Sequence, residues 1–144
     1  EASHNAAYWS ISVGMKAQNN VLSTVQDSLG FGKAILDTAY TALNEAITKA
    51  SDILAKQVSL ETDGIDEDAV NAEIDQLIEQ IQAIATAADF EGQNLLSNAG
   101  ADVTVVSSYI KATGIETLTL DAFDLETEAG NMTSIDGAQD ALEP

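Results

Sequence analysis

From His4 to Leu60 the chain contains no proline, and its apolar residues recur at every seventh position. One row runs Met15, Leu22, Leu29, Leu36, Leu43, Ala50; a second runs Ile11, Val25, Ala39, Ala46, Ile53 and is broken by Gln18 and Gly32. Rows seven apart and offset by three or four make the a/d seam of a supercoiled helix. The pattern predicts one helix over residues 4–60, about 85 Å long at a rise of about 1.5 Å per residue. Glu45 precedes Lys49 and Asp52 precedes Lys56 by four positions, pairs that each support a helix by about 0.2–0.5 kcal/mol. Gly30 and Gly32 each cost about 1 kcal/mol relative to Ala. That stretch is either a bend or close-packing point or a tolerated weak spot.

Asp63-Gly64 ends the run with turn chemistry, and Asp66 caps a second helix whose first turn carries Glu67 and Asp68. Acids there complement the positive end of the helix dipole. This helix is expected over 66–88, with Val70, Leu77, Ile84 and Ile74, Ile81, Ala88 as its two rows. The short connection folds it back antiparallel on the first. Its length of about 35 Å covers only the C-terminal part of the partner and leaves Tyr8, Trp9, Ile11, Met15, Leu22, Val25 and Leu29 uncovered. Past Gly92, Val103 to Ile110 and Ile115 to Phe123 are rich in β-branched and aromatic residues and flank Lys111-Ala-Thr-Gly114, a hairpin within 102–124. Residues 124–131 read as an acidic loop, and 134–142 as the start of a C-terminal helix capped by Ser134. The expected fold class is mainly α: a very long helix and an antiparallel returning helix in a coiled-coil-like rod, with a β-hairpin. A seam without a partner and a helix that begins just before the last residue suggest part of a longer chain.

Charge divides this picture. The 144 residues hold 24 acids against 5 lysines, for a net charge of −19. Residues 1–60 carry five acids and four lysines, a net −1; residues 61–144 carry nineteen acids and Lys111 alone, a net −18. A nucleic-acid partner is excluded, because a phosphate-binding face needs clustered cations. No apolar run approaches the roughly 20 residues that span a bilayer, so no membrane partner is expected. Without cysteine there is no thiolate chemistry and no disulfide framework.

Candidate chemistry is sparse. His4 is the only imidazole and reads as a surface residue near a helix start. Glu61, Asp63, Asp66, Glu67 and Asp68 lack the D-x-[DN]-x-[DN]-G calcium pattern. Asn131-Met-Thr133 matches only the short glycan acceptor triplet. No catalytic, cofactor or metal site is expected, and no enzyme. The uncovered stripe does imply chemistry of another kind. Burying each of its seven large side chains is worth about 1.5–3 kcal/mol, so it is an association surface.

The residues resemble bacterial flagellin. Asn5-Ala-Ala-Tyr-Trp-Ser-Ile-Ser12 resembles the N-D-A-A-G-L-A-I-S block that opens the family's long rod helix, in the Tyr-Trp version of alphaproteobacterial members. Gln26-Asp27-Ser-Leu-Gly30, Asp37-Thr-Ala-Tyr-Thr-Ala-Leu-Asn-Glu45, Ala72-Glu-Ile74, Phe90-Glu-Gly-Gln-Asn-Leu-Leu96 and Ser134-Ile-Asp-Gly-Ala-Gln-Asp140 match later blocks in order. The resemblance implies a rod-domain piece of a short flagellin, a secreted filament subunit for motility. Its implied partners are other flagellin subunits, an export chaperone and a cap protein. It also implies that the piece alone, lacking the terminal polymerisation segments, does not form filaments. A hook-filament junction protein or another coiled-coil adaptor is the alternative. Many flagellins present to a toll-like immune receptor a run Q-R-x-R-E-L-A and a Glu on the returning helix. Aligned on the blocks above, this chain has Asp52 and Leu54 in place of the arginines, Lys56 in place of the leucine, and Gln80 in place of the Glu. Weak receptor recognition is the expectation.

Overall fold

The computed structural model describes residues 2–97 and 100–133. Helix α1 spans Ala2–Ser59, 58 residues, or about 87 Å. The chain leaves it through i→i+3 bonds from Glu61 and Thr62 to the carbonyls of Val58 and Ser59, at 3.2 and 3.1 Å. It reverses at Gly64, whose φ of +86° is open to glycine without a Cβ penalty. Helix α2 spans Glu67–Ala87. Its Asp66 cap accepts from the Ala69 amide at 3.2 Å, meeting one of the first-turn donors that no helical carbonyl reaches. Two compact units result, Glu1–Lys33 with Thr104–Leu120 and Ala34–Val103 with Asp121–Pro144.

In the first unit, a hairpin of β1 (Val103–Ile110) and β2 (Gly114–Leu120) meets the N-terminal part of α1. Three residues connect the strands, too few for a crossover, so they pair antiparallel. The Val106 amide donates to Ser28 Oγ at 2.8 Å. Val105 presses its methyls on Gly32, where an added Cβ would lie 3.2 and 3.3 Å from them. Gly32 is therefore a close-packing point. Gly30 has nothing within 4 Å of where a Cβ would stand, and α1 continues through both glycines unbroken.

In the second unit, α2 returns antiparallel along α1. The Lys56 ammonium meets the Glu73 carboxylate near one end, and Asp37 to Glu45 share a groove with Ala83 to Ala88 near the other. Ile35, Ala39, Ala42, Ala46, Ala50 and Ile53 of α1 are buried, as are Ile74, Ile78, Ile81 and Ala85 of α2. The Lys56 bond corrects the expected pair with Asp52: a carboxylate on the facing helix takes the ammonium from one four residues back on its own. After α2, Phe90 and Gln93 exchange both backbone bonds at 2.9 Å across Glu91 and Gly92. Asn94 Nδ2 donates to the Ala85 carbonyl at 2.8 Å, satisfying an acceptor of the last helical turn.

Two further expectations change. The second strand ends at Leu120 rather than Phe123, because the amides that would extend the ladder bond elsewhere. Ala122 N donates to Asp102 Oδ1 at 2.7 Å and Phe123 N to the Leu95 carbonyl at 2.6 Å. The stretch read as an acidic loop contains helix α3, Leu125–Gly130. Asp124 caps it, accepting from Thr127 N at 3.1 Å, and Leu125 and Ala129 are buried. Gln82 and Thr86 of α2 donate to the Glu126 carbonyl and carboxylate. The acids there serve as a cap and an outer face of a helix instead of a solvated loop. The expected start of a C-terminal helix over 134–142 lies outside the described residues.

Candidate assembly surface

The two apolar rows of α1 meet different fates. Val25, Ala39, Ala46 and Ile53 are buried, joined in steps of three and four by Ile35, Ala42 and Ala50. Met15, Leu22, Leu29 and Leu36 point outward, and Leu43 is half-buried. A helix in contact with one neighbour hides one stripe of about 100°, and here the alanine-rich row takes that position. Val25, expected to lack an in-chain partner, is 7% exposed. The hairpin covers it, because Val106, Tyr109 and Ile115 line a groove with Val21 and Val25. On α2, Ile74 and Ile81 are buried, while Val70, Leu77 and Ile84 are half-buried.

The exposed residues define the surface in each unit separately. In the first, Tyr8, Trp9 (69% exposed), Ile11 and Met15 precede Leu22 and Leu29. In the second, Leu36, Tyr40, Leu43, Leu95, Leu96 and Phe123 line an open groove of about 390 Å³ with Asp37 and Asp121 beside them. Tyr40, 68% exposed, and Phe123 were not picked out by heptad rows. Tyr40 lies four residues after Leu36, the spacing that places it on the same face.

Polar positions contribute little chemistry here. Among the described residues no three His, Asp or Glu side chains converge as metal ligands. No helix among them is long and apolar enough to cross a membrane. His4 is exposed on α1. Of the four positions aligned with the receptor face, Asp52 and Gln80 are exposed, Leu54 is half-buried, and Lys56 is engaged with Glu73.

Helix α1 thus folds one apolar row inward and leaves the other exposed. The family model for the bacterial flagellin N-terminal helical region matches residues 1–101. The chain belongs to the flagellin family. Flagellin B of Rhizobium meliloti (strain 1021) is 45% identical over 118 residues, covering 79% of this chain and 30% of that protein. A flagellin of Brucella melitensis biotype 1 is 36% identical over 132 residues, 89% of this chain and 47% of the relative. The chain thus spans less than half the length of these flagellins. The crystal structure of Bacillus cereus flagellin superposes with a TM-score of 0.59 at 21% identity, covering 82% of this chain and 69% of that one, and shares the fold. The flagellin match spans α1, α2 and the Phe90–Gln93 turn, the parts that set the inward and outward rows.

Proposed function

We propose that the protein is a structural subunit of the bacterial flagellar filament, secreted and assembled outside the cell by packing of long helices for motility. The observation that carries this reading is the outward apolar row on α1 of a flagellin-family chain. The inward row ties α1 to α2, and the outward row is left for helices beyond those described, in the same or a neighbouring subunit. Contacts of this heterologous kind do not close into a ring and so propagate as a fibre. The role is structural rather than catalytic. Other flagellin subunits are the partners, with an export chaperone and a cap protein acting before and during assembly.

Antibodies raised against this chain are expected to decorate the whole length of extracellular filaments, and disruption of its gene to remove or shorten them. Label confined to the filament base would replace this reading with the junction-protein one. A second proposal concerns Asp52, Leu54, Lys56 and Gln80. With no arginine in the chain and Lys56 bound to Glu73, the toll-like receptor face loses its bidentate donors. Recognition by that receptor is expected to be weak, and strong activation of receptor-bearing cells by the purified protein would overturn it.

A further inference from the structure

Tyr8 and Trp9 stand on different faces of α1. One residue turns a helix by about 100°, so Tyr8 falls in line with Ile11 and Met15 of the outward row, while Trp9 falls in line with Val13 and Lys16, four and seven positions on. Trp9, Val13 and Lys16 are all exposed. A single neighbouring helix hides a stripe of about 100°, so a helix packed on the outward row leaves Trp9 and Val13 in water. An exposed Trp beside a second apolar side chain has the composition of an interface anchor. Lys16, at the edge of this face, meets no carboxylate among the described residues.

The second unit holds the complement. Leu95 and Leu96 are buried and floor the open groove, while Leu36, Tyr40 and Phe123 expose their side chains along it. Its volume of about 390 Å³ falls within the roughly 300–1,000 Å³ of pockets that hold small molecules, room for one indole ring. Asp121 lines it with an exposed carboxylate that makes no ion pair among the described residues. Charge favours the same match. In the first unit Glu1, Asp27 and Glu116 balance Lys16, Lys33 and Lys111, so the whole net charge of −19 belongs to the second. Two second units repel each other, whereas a neutral first unit carrying a lysine approaches an acidic second unit without that cost.

We propose that Trp9 of one copy packs into the groove beside Tyr40 of another, with Lys16 paired to Asp121. Trp9 and Tyr40 belong to one unbroken helix, which cannot lay one on the other, so the contact joins two copies. Knob and groove are unlike surfaces, and each copy presents both, so the contact is heterologous and propagates. The inference rests on the filament reading and names two surfaces that carry the assembly.

Filaments of the full-length protein give the test, with the critical concentration for assembly read by sedimentation. Trp9→Ala is expected to raise it by at least about tenfold while leaving the melting temperature of the monomer unchanged. Lys16→Glu and Asp121→Lys are each expected to raise it about fivefold, and the protein carrying both to regain the unsubstituted value. A double variant that assembles no better than the single ones overturns the pairing. Trp9→Ala filaments that form as readily as unsubstituted ones overturn the contact and leave the filament reading standing, whereas unsubstituted protein that forms no filaments removes both. Residues 1–144 contain no cysteine, so Val13→Cys combined with Phe123→Cys gives a direct readout. Mild oxidation of such filaments is expected to yield a ladder of disulfide-linked multimers, as each copy joins the next. No linkage, or dimers from Val13→Cys alone, counts against the contact, and if Trp9→Ala lowers the melting temperature, the charge exchange and the cross-link decide.

Discussion

Gly30 and Gly32 lie two residues apart in α1, and each forgoes about 1 kcal/mol of helix propensity relative to Ala. Only Gly32 gains something in exchange, the approach of Val105, whose methyls would stand 3.2 and 3.3 Å from a new Cβ. Val105 is itself buried, so it has little room to yield. Gly30→Ala is expected to stabilise the protein by about 1 kcal/mol, and Gly32→Ala to fall short of it by at least about 1 kcal/mol. Urea denaturation of the two variants measures the difference; equal stabilities would mean that the Val105 contact is absent. Glu91 poses the converse case. Its φ of +50° precedes Gly92 at +81°, the backbone of a tight two-residue hairpin turn that favours Asn-Gly. A side chain other than Asn or Asp costs about 1–2 kcal/mol there. Glu91→Asn is therefore expected to raise the unfolding midpoint, by about 1 kcal/mol in stability, and an unchanged midpoint would show that the turn is not strained.

At the scale of the element, the rows of α1 separate what stabilises the chain from what is offered outward. Ile53 is fully buried, so Ile53→Ala removes core contacts and is expected to cost about 2–5 kcal/mol. Leu22 is half exposed, so Leu22→Ala is expected to change monomer stability by less than about 1 kcal/mol while weakening filament assembly. Thermal unfolding of the monomers and sedimentation of filaments formed by the full-length protein read the two effects separately, and full-length Leu22→Ala protein that assembles normally would remove the outward row from the assembly surface. The same rows show what sequence periodicity can and cannot convey. A proline-free run with apolar residues every seventh position demands a helix, and a capped run after Asp63-Gly64 demands a returning one. Periodicity does not say which stripe is covered. Large leucines look like the inner row, yet Ala39, Ala42, Ala46 and Ala50 are buried, since small residues let two helices approach closely. Helix α3 was hidden by its charge. Its signals were a cap at Asp124 and apolar Leu125, Ala129 and Met132 at helical spacing, outweighed by three acids, Asp124, Glu126 and Glu128, within five residues.

For the whole molecule the deciding quantity is a net charge of −19 on 144 residues. Lys56 with Glu73 offsets one acid locally, but 24 acids against 5 lysines leave a large excess of negative charge. Compaction and assembly both bring such groups closer, so repulsion opposes both. Added salt shortens the Debye length from about 30 Å at 0.01 M to about 8 Å at 0.15 M, which screens the separated pairs while leaving contacts within a few ångströms largely intact. Apolar burial responds weakly to sodium chloride over that range, whereas sulfate would strengthen it and confuse the two effects. The melting temperature is therefore expected to rise between 0.01 and 0.15 M sodium chloride. A gain of about 1 kcal/mol at this chain length corresponds to a rise of about 2–4 °C. Filaments of the full-length protein are expected to respond in the same direction and more steeply, because packing subunits together adds repulsion between copies to repulsion within one. Dissociation of filaments on dilution into low salt, reversed by sodium chloride and not by an equal osmolality of sucrose, would identify screening as the cause. A melting temperature and a filament yield both flat across that range would mean that the acids lie too far apart, or too well solvated, to influence either equilibrium.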